Sequence, residues 1–500
     1  MCVSRLDRKT TRFMAVTALS IAAFTLAFGV YCRWLGLRIG FLQGESGLYL
    51  EAAFSPTTEW WRFFSAFVLR SYNGHFIPLA LTSEFLQSRL LGTWESGWFV
   101  RQMLACGALG AVLARLGYLI GRAGTLTRAQ SVVVGACAGI FFLCQPFVLD
   151  LATWPFMALQ LWTLTMIAAS ACALLRITEA DDATGFPAFL LFAYAAMHFS
   201  GAGAASSLAA IATGGLLIWL RWPHWDRAAA RHCLRWLAIA GVLTGLHFAL
   251  MVLTAQQPAT AAGPLLPLHT LAMRFGWLLM DSIYGALRGM WANGGLQWPE
   301  MHHGVIEGVY GWGVLLLGLA LGAGLVARYR AQPTRHGLAV LSLYCMAFLG
   351  LTGHVLMLLV RVRNEADPQA LLGYFIGSRY LLFPALYLVL LGGAGLLAVA
   401  PMLRRGLTVT LVVVTLGAAA GTATFAIVAA PALWPWLQSD THARWQLAVD
   451  HARQDMAHGK PVTDDALAGL DIHFKATLKQ RKQLLEHELG CHDCVHFVDE

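Results

Sequence analysis

Just beyond the first apolar run the chain reads Gly40-Phe41-Leu42-Gln43-Gly44-Glu45-Ser46-Gly47, which sets one carboxylate, Glu45, between two glycines at a membrane boundary. The flanking glycines permit a tight backbone there. A carboxylate in such a place can take a proton from an acceptor hydroxyl or coordinate a divalent metal. It can equally be a solvated loop residue. Glu51 reads as part of the helix that follows. Tyr72-Asn73-Gly74-His75 forms a turn ahead of an apolar helix. His75 there either exchanges a proton with a substrate or bonds a nearby carbonyl at the helix start. Asp150, in Leu149-Asp150-Leu151-Ala152-Thr153-Trp154, lies at a later boundary on the same side. A boundary acid is a functional candidate; it is also a ready N-cap for a helix starting near Trp154.

Three arginines could meet a phosphate. Arg361, Arg363 and Arg379 fall in a short loop and at the start of the span after it, on the side expected to be poor in Arg and Lys. Guanidinium groups bind phosphate through forked hydrogen bonds. Lipid headgroups, or Glu365 and Asp367, are the alternative partners. The pair Cys491 and Cys494, with His487, His492 and His496 nearby, has zinc-like spacing. A disulfide and free thiols are the other readings, the disulfide favoured by an oxidising compartment. Lone histidines, His198, His247 and His354, fall in or beside apolar runs, and His302-His303 is an adjacent pair whose rings would point apart on a helix.

The elements that must carry these residues are membrane helices. Of 500 residues, 58% are hydrophobic and only 12% are charged, about half the charged fraction of a soluble domain. Apolar runs of about 20 residues are the length of a membrane-crossing helix rather than a barrel strand. The expected architecture is all-α and polytopic, with about eleven spans: 13–32, 98–119, 131–149, 155–175, 186–199, 204–220, 236–254, 305–326, 337–360, 380–400 and 407–429. The first run is too long for a signal peptide and ends without a small-residue cleavage site, so it reads as an uncleaved span. With the N-terminus cytoplasmic, alternate short loops hold Arg122, Arg128, Arg176, Arg221, Arg227, Arg231, Arg235, Arg328, Arg330, Arg335, Arg404 and Arg405, as the positive-inside rule requires. The formal charge of +8 is thereby explained by topology, and a nucleic-acid platform of basic residues interleaved with aromatics is missing.

Residues 1–430 thus form a membrane domain and residues 431–500 a polar, helical tail on the outer side. Two outside segments, 33–97 and 255–304, carry interfacial helices. In the second, Arg274, Asp281 and Arg288 recur every seven residues, which makes a polar stripe opposite a face of Leu, Met, Phe and Trp.

The stretch Ser378-Arg379-Tyr380-Leu381-Leu382-Phe383-Pro384 resembles the Arg-Tyr-Leu-Leu-x-Pro segment of integral-membrane GT-C glycosyltransferases, such as the aminoarabinose and protein O-mannosyl transferases. The layout is similar too: a long first outside loop with interfacial helices and acidic residues, then many spans. The resemblance implies transfer of a sugar from a polyprenyl-phosphate lipid to an acceptor at the outer face of a bacterial inner membrane. Glu45 would match the family's catalytic acid and Arg379 a residue near the donor phosphate. Where those enzymes carry paired acids, this chain has Glu45-Ser46. A transporter or lipid flippase, or a non-catalytic scaffold on the same frame, are the alternatives. The residues leave the cofactor open, a divalent metal at Glu45 being compatible with them.

Overall fold

The computed structural model describes residues 2–37, 46–54, 59–72, 75–180, 183–254, 266–291, 304–362, 378–399, 406–428, 441–462, 478–491 and 494–495. The first helix, α1 (Cys2–Trp34), is followed by α2 (Ser46–Ala53), α3 (Trp60–Val68) and α4 (Pro78–Leu91). Between α3 and α4 a two-stranded antiparallel hairpin pairs Ser71 with Phe76 and Tyr72 with His75. The main bundle comprises α5 (Glu95–Ala123), α6 (Arg128–Leu143), α7 (Pro146–Thr153), α8 (Ala158–Ala180), α9 (Phe186–Met197), α10 (Gly203–Arg221) and α11 (Arg227–Thr254). It continues as α12 (Leu268–Trp291), α13 (Val305–Ala331), α14 (Arg335–Arg361), α15 (Ser378–Val399) and α16 (Gly406–Val428). Two helices of the tail follow, α17 (Thr441–Ala457) and α18 (Leu478–Leu489).

Among the described residues nine helices are long and apolar enough to cross a membrane, or ten if α6 and α7 form one broken span. The protein is therefore an all-helical, multi-pass membrane protein. The remaining expected span corresponds to α9, whose 12 residues reach only about 18 Å. At the core α5 packs against α1, α6 and α8, while α14 packs against α8, α10 and α15.

One expected span is not straight. The run 131–149 divides into α6 and α7, which meet at 62°. Pro146 opens α7 and has no N–H to continue the ladder. Gln145 repairs part of the loss, its Nε2 donating to Phe141 O at 2.7 Å. Asp150 consequently lies inside α7 and is not the N-cap of the following helix: the residue before the next helical turn, Pro155–Met157, is Trp154. At the other end of α6 the Thr127 hydroxyl accepts from Gln130 N, and Gln130 Oε1 accepts from Thr127 N at 3.1 Å, a reciprocal cap.

The segment between α11 and α13 holds α12, which packs against α13, α14 and α15. Trp277 donates to Gly304 O at 2.7 Å and Trp312 to Ala272 O at 2.9 Å, tying α12 to the start of α13. Arg274 donates to Val362 O, just past α14, at 2.9 Å. Farther along, Gly285 meets Leu381 near the start of α15. Gly276 and Gly311 let the α12 and α13 backbones touch: a Cβ on Gly311 would stand 2.1 Å from Gly276 O, the close approach that small residues allow in membrane bundles. The polar stripe expected on this helix turns the other way. Arg274 and Asp281 are 1% and 4% exposed and sit among Phe275, Leu278, Leu279 and Ser282 on the buried face. A seven-residue repeat identifies which residues share a face, and here that face meets protein instead of water. The side chain of Arg288 lies outside the described residues.

The tail touches α2 and the residue that follows it. Phe54, just after α2, meets His487 of α18 with ring centroids 5.3 Å apart. The tail has its own small core of Trp445, Val449, Ala452, Leu484, Leu485 and Val495. Cys491 and Cys494 are paired as a disulfide.

Candidate functional site

Glu45 lies outside the described residues, immediately before α2. The helix that follows it is held firmly. Arg101, in the second turn of α5, pairs with the Glu84 carboxylate from α4 and also donates to Gln87 Oε1. Its Nη1 reaches Pro155 O at 2.5 Å. Gln102 beside it donates to Leu151 O at 2.8 Å. Glu84 is 2% exposed and Arg101 8%. Burial raises the Glu84 pKa, opposed by Arg101 and by the Tyr49 hydroxyl of α2. This network fastens α2 and α4 to the ends of α5, α7 and α8. The sequence gives no sign of it, because Glu84 and Arg101 stand in different elements with a turn between them. Glu51 lies in α2, as expected, and pairs with Arg70 at 3.1 Å.

His75 is not a helix-start residue: it lies in the second strand of the hairpin, the geometry that an Asn-Gly pair favours. Its ring rests on Gly201, where a Cβ would be 2.2 Å from Nδ1. Burial, and after it the neighbouring Arg361 guanidinium at the end of α14, lower its pKa from 6.5 to about 4. His75 is therefore a neutral imidazole at neutral pH, suited to hydrogen-bonding a hydroxyl. The hairpin and the end of α14 are thus neighbours. Close by, Ala80 N donates to His198 O at 3.1 Å. The His198 and His247 rings stand 4.6 Å apart, with Tyr194 4.6 Å from His198 and Phe76 5.6 Å from His247. Among the described residues neither nitrogen of His198 has a hydrogen-bond partner. In the sequence these histidines stand singly; the packing of α9 against α11 brings His198 and His247 together.

The folded chain takes up a proton on His75 near pH 4 and the unfolded chain near pH 6.5. Stability is accordingly full above about pH 6.5 and declines as the pH falls towards 4. Unfolding temperatures of the detergent-solubilised protein should drop across this window, and less steeply in His75→Gln. Equal slopes in the two proteins would assign the loss to other groups.

The helices that carry Asp150 and Arg379 are in contact. Asp150 is half-buried in α7, and α7 packs along α15 and touches α12. Arg379 is the second residue of α15; its side chain lies outside the described residues, as do Arg363, Glu365, Asp367 and the pair His302-His303. The helices bearing Asp150, Arg379 and the buried Arg274 and Asp281 therefore converge, with Arg361 close to His75. Among the described residues no three His, Cys, Asp or Glu side chains are grouped closely enough to hold a metal ion. No protein-family model matches the chain, and no curated protein matches it significantly in sequence.

Proposed function

We propose that the chain is a GT-C-like glycosyltransferase, moving a sugar from a polyprenyl-phosphate-linked donor to an acceptor hydroxyl at the outer face of a bacterial inner membrane. What supports this reading is the convergence of α7, α12 and α15 on the face where the first loop meets Arg361. In this reading the face would supply acids for a hydroxyl and guanidinium groups for a phosphate, beside the lipid from which a polyprenyl chain would enter. In this scheme Glu45 takes the proton of the acceptor hydroxyl, whose oxygen bonds to the anomeric carbon. The bond from that carbon to the phosphate oxygen breaks, and polyprenyl phosphate leaves with the electron pair. Arg379, with Arg361 and Arg363 nearby in sequence, offsets the charge that develops on the leaving group. Neutral His75 orients the acceptor, and Asp150 holds a hydroxyl of sugar or acceptor.

The test uses purified protein in lipid vesicles, polyprenyl-phosphate sugars as donors, and detection of released polyprenyl phosphate. Glu45→Gln should reduce transfer by at least about 100-fold, the low end of general-base contributions, with an unchanged unfolding temperature. Transfer at the unaltered rate in this variant would remove Glu45 from its role. A wild-type protein that neither binds nor consumes any polyprenyl-phosphate sugar would remove the reading altogether.

A further inference from the structure

The face opposite His75 carries a second polar feature, independent of any glycosyl transfer. The ends of three spans enclose a cleft of about 280 Å³ lined by Arg122, Ala123, Glu179, Arg335, His336 and Ala339. α5 ends here with Arg122 and α8 with Glu179, while α14 begins here with Arg335 and His336. The far end of α14 holds Arg361 beside His75, and the far end of α5 holds Arg101 beside Glu84. Both helices cross the bundle, so the cleft lies on the other membrane surface.

Its walls carry more positive than negative charge. Arg122 Nη1 donates to Leu126 O at 3.1 Å, and Arg335 Nη1 donates to Glu179 O at 3.3 Å. Both acceptors are main-chain carbonyls. Among the described residues neither guanidinium forms an ion pair with a carboxylate, and each retains most of its five N–H donors. The Glu179 side chain lies within electrostatic reach of Arg115, Arg122 and Arg176. His336 Nδ1 stands 3.2 Å from Ala123 O, which requires that nitrogen to carry the proton. The first turn of α14 adds the partial positive charge of a helix N-terminus, capped by the Thr334 hydroxyl, which accepts from Gly337 N at 3.0 Å. Asp181 and Asp182, next along the chain, lie outside the described residues.

Arginines scattered on one surface follow from topology alone. Two guanidiniums brought from different helices to one cleft, each held in place by a single main-chain bond, form a clamp for a tetrahedral dianion. We infer that this cleft binds a phosphate monoester between Arg122 and Arg335, carried either on a lipid headgroup or on a small soluble molecule. Glu179 is the internal counter-charge that the ligand must compete with.

Full-length protein in phosphatidylcholine nanodiscs provides the test, with two arms. Phosphatidic acid is titrated into the nanodisc in one, and phenyl phosphate into solution in the other. Saturable binding in either arm is expected and identifies the source of the phosphate. The double variant Arg122→Gln/Arg335→Gln should weaken it by about tenfold or more, as loss of charge-assisted bonds does. Arg231→Gln is the control: that exposed arginine binds only its own helix, at Arg227 O, among the described contacts, and the variant should bind as the wild type does. Glu179→Gln should tighten binding severalfold, a gain that misfolding cannot produce. Saturable binding in neither arm would overturn the assignment. So would an equal loss in the Arg231 control, or an unchanged affinity in Glu179→Gln.

Discussion

Arg101→Leu should destabilise the protein by about 3–5 kcal/mol, the usual result of removing one partner of a buried ion pair. Glu84 would be left 2% exposed with no cation beside it, and its carboxyl would fold protonated at neutral pH. The hydrogen bonds of Arg101 to Gln87 and Pro155 O disappear with it. Thermal unfolding in detergent measures the loss. The double variant Glu84→Leu/Arg101→Leu should recover most of it, because an apolar pair of similar volume removes the desolvation cost together with the attraction. A single variant as stable as the wild type would mean that the network is dispensable. The same network holds α2, so a folded Arg101→Gln protein should bind acceptor and donor more weakly without losing the residues proposed to act on them.

Gly311→Leu should be the next most damaging substitution. A Cβ there would stand 2.1 Å from Gly276 O and 2.5 Å from Gly276 Cα. Both neighbours are backbone, so no rotamer change relieves the clash, and α12 must lift off α13. Overpacking of this kind costs about 1–3 kcal/mol. The larger consequence is positional: α12 carries Arg274 and Asp281 against the ends of α14 and α15, and a shift of about 1 Å at a reacting site costs about 100-fold in rate. Transfer activity and unfolding temperature measured together separate the two effects. Gly313→Leu, where a Cβ would meet nothing within 4 Å, should leave both unchanged. Equal behaviour of the two variants would dismiss the contact as a determinant.

Much of the helical framework is legible in composition and run length, because a helix in lipid must satisfy its backbone groups internally and must be long enough to cross. Geometry at the breaks is less so. The run 131–149 has the length of a span, and length outweighed the signal of Pro146; the structure divides it there. Residues 186–199 are already a short run for a span, and the helix within them, α9, has only 12 residues. Periodicity found the Arg274–Asp281 stripe of α12 but not its direction, which depends on the spans beneath. Among the candidate residues, His75 and Asp150 stand out in the sequence by type and position. The partners that give them an environment, Gly201 and Arg361 for His75 and the α15 helix for Asp150, come from parts of the chain far apart in sequence. The same distance hid the His198–His247 contact and the Glu84–Arg101 pair.

The brevity of α9 has a mechanical consequence for the surrounding bilayer. Leu191 and Phe192 on this helix are 43% and 38% exposed, so it faces lipid, yet it reaches about 18 Å where a hydrocarbon layer is about 30 Å thick. Lipid packed against it must thin locally to avoid baring its ends. Headgroups there ride deeper than elsewhere around the protein, towards the turn that bears His198. The annulus of lipid should therefore be uneven, with a dip on the side where Leu191 and Phe192 are exposed.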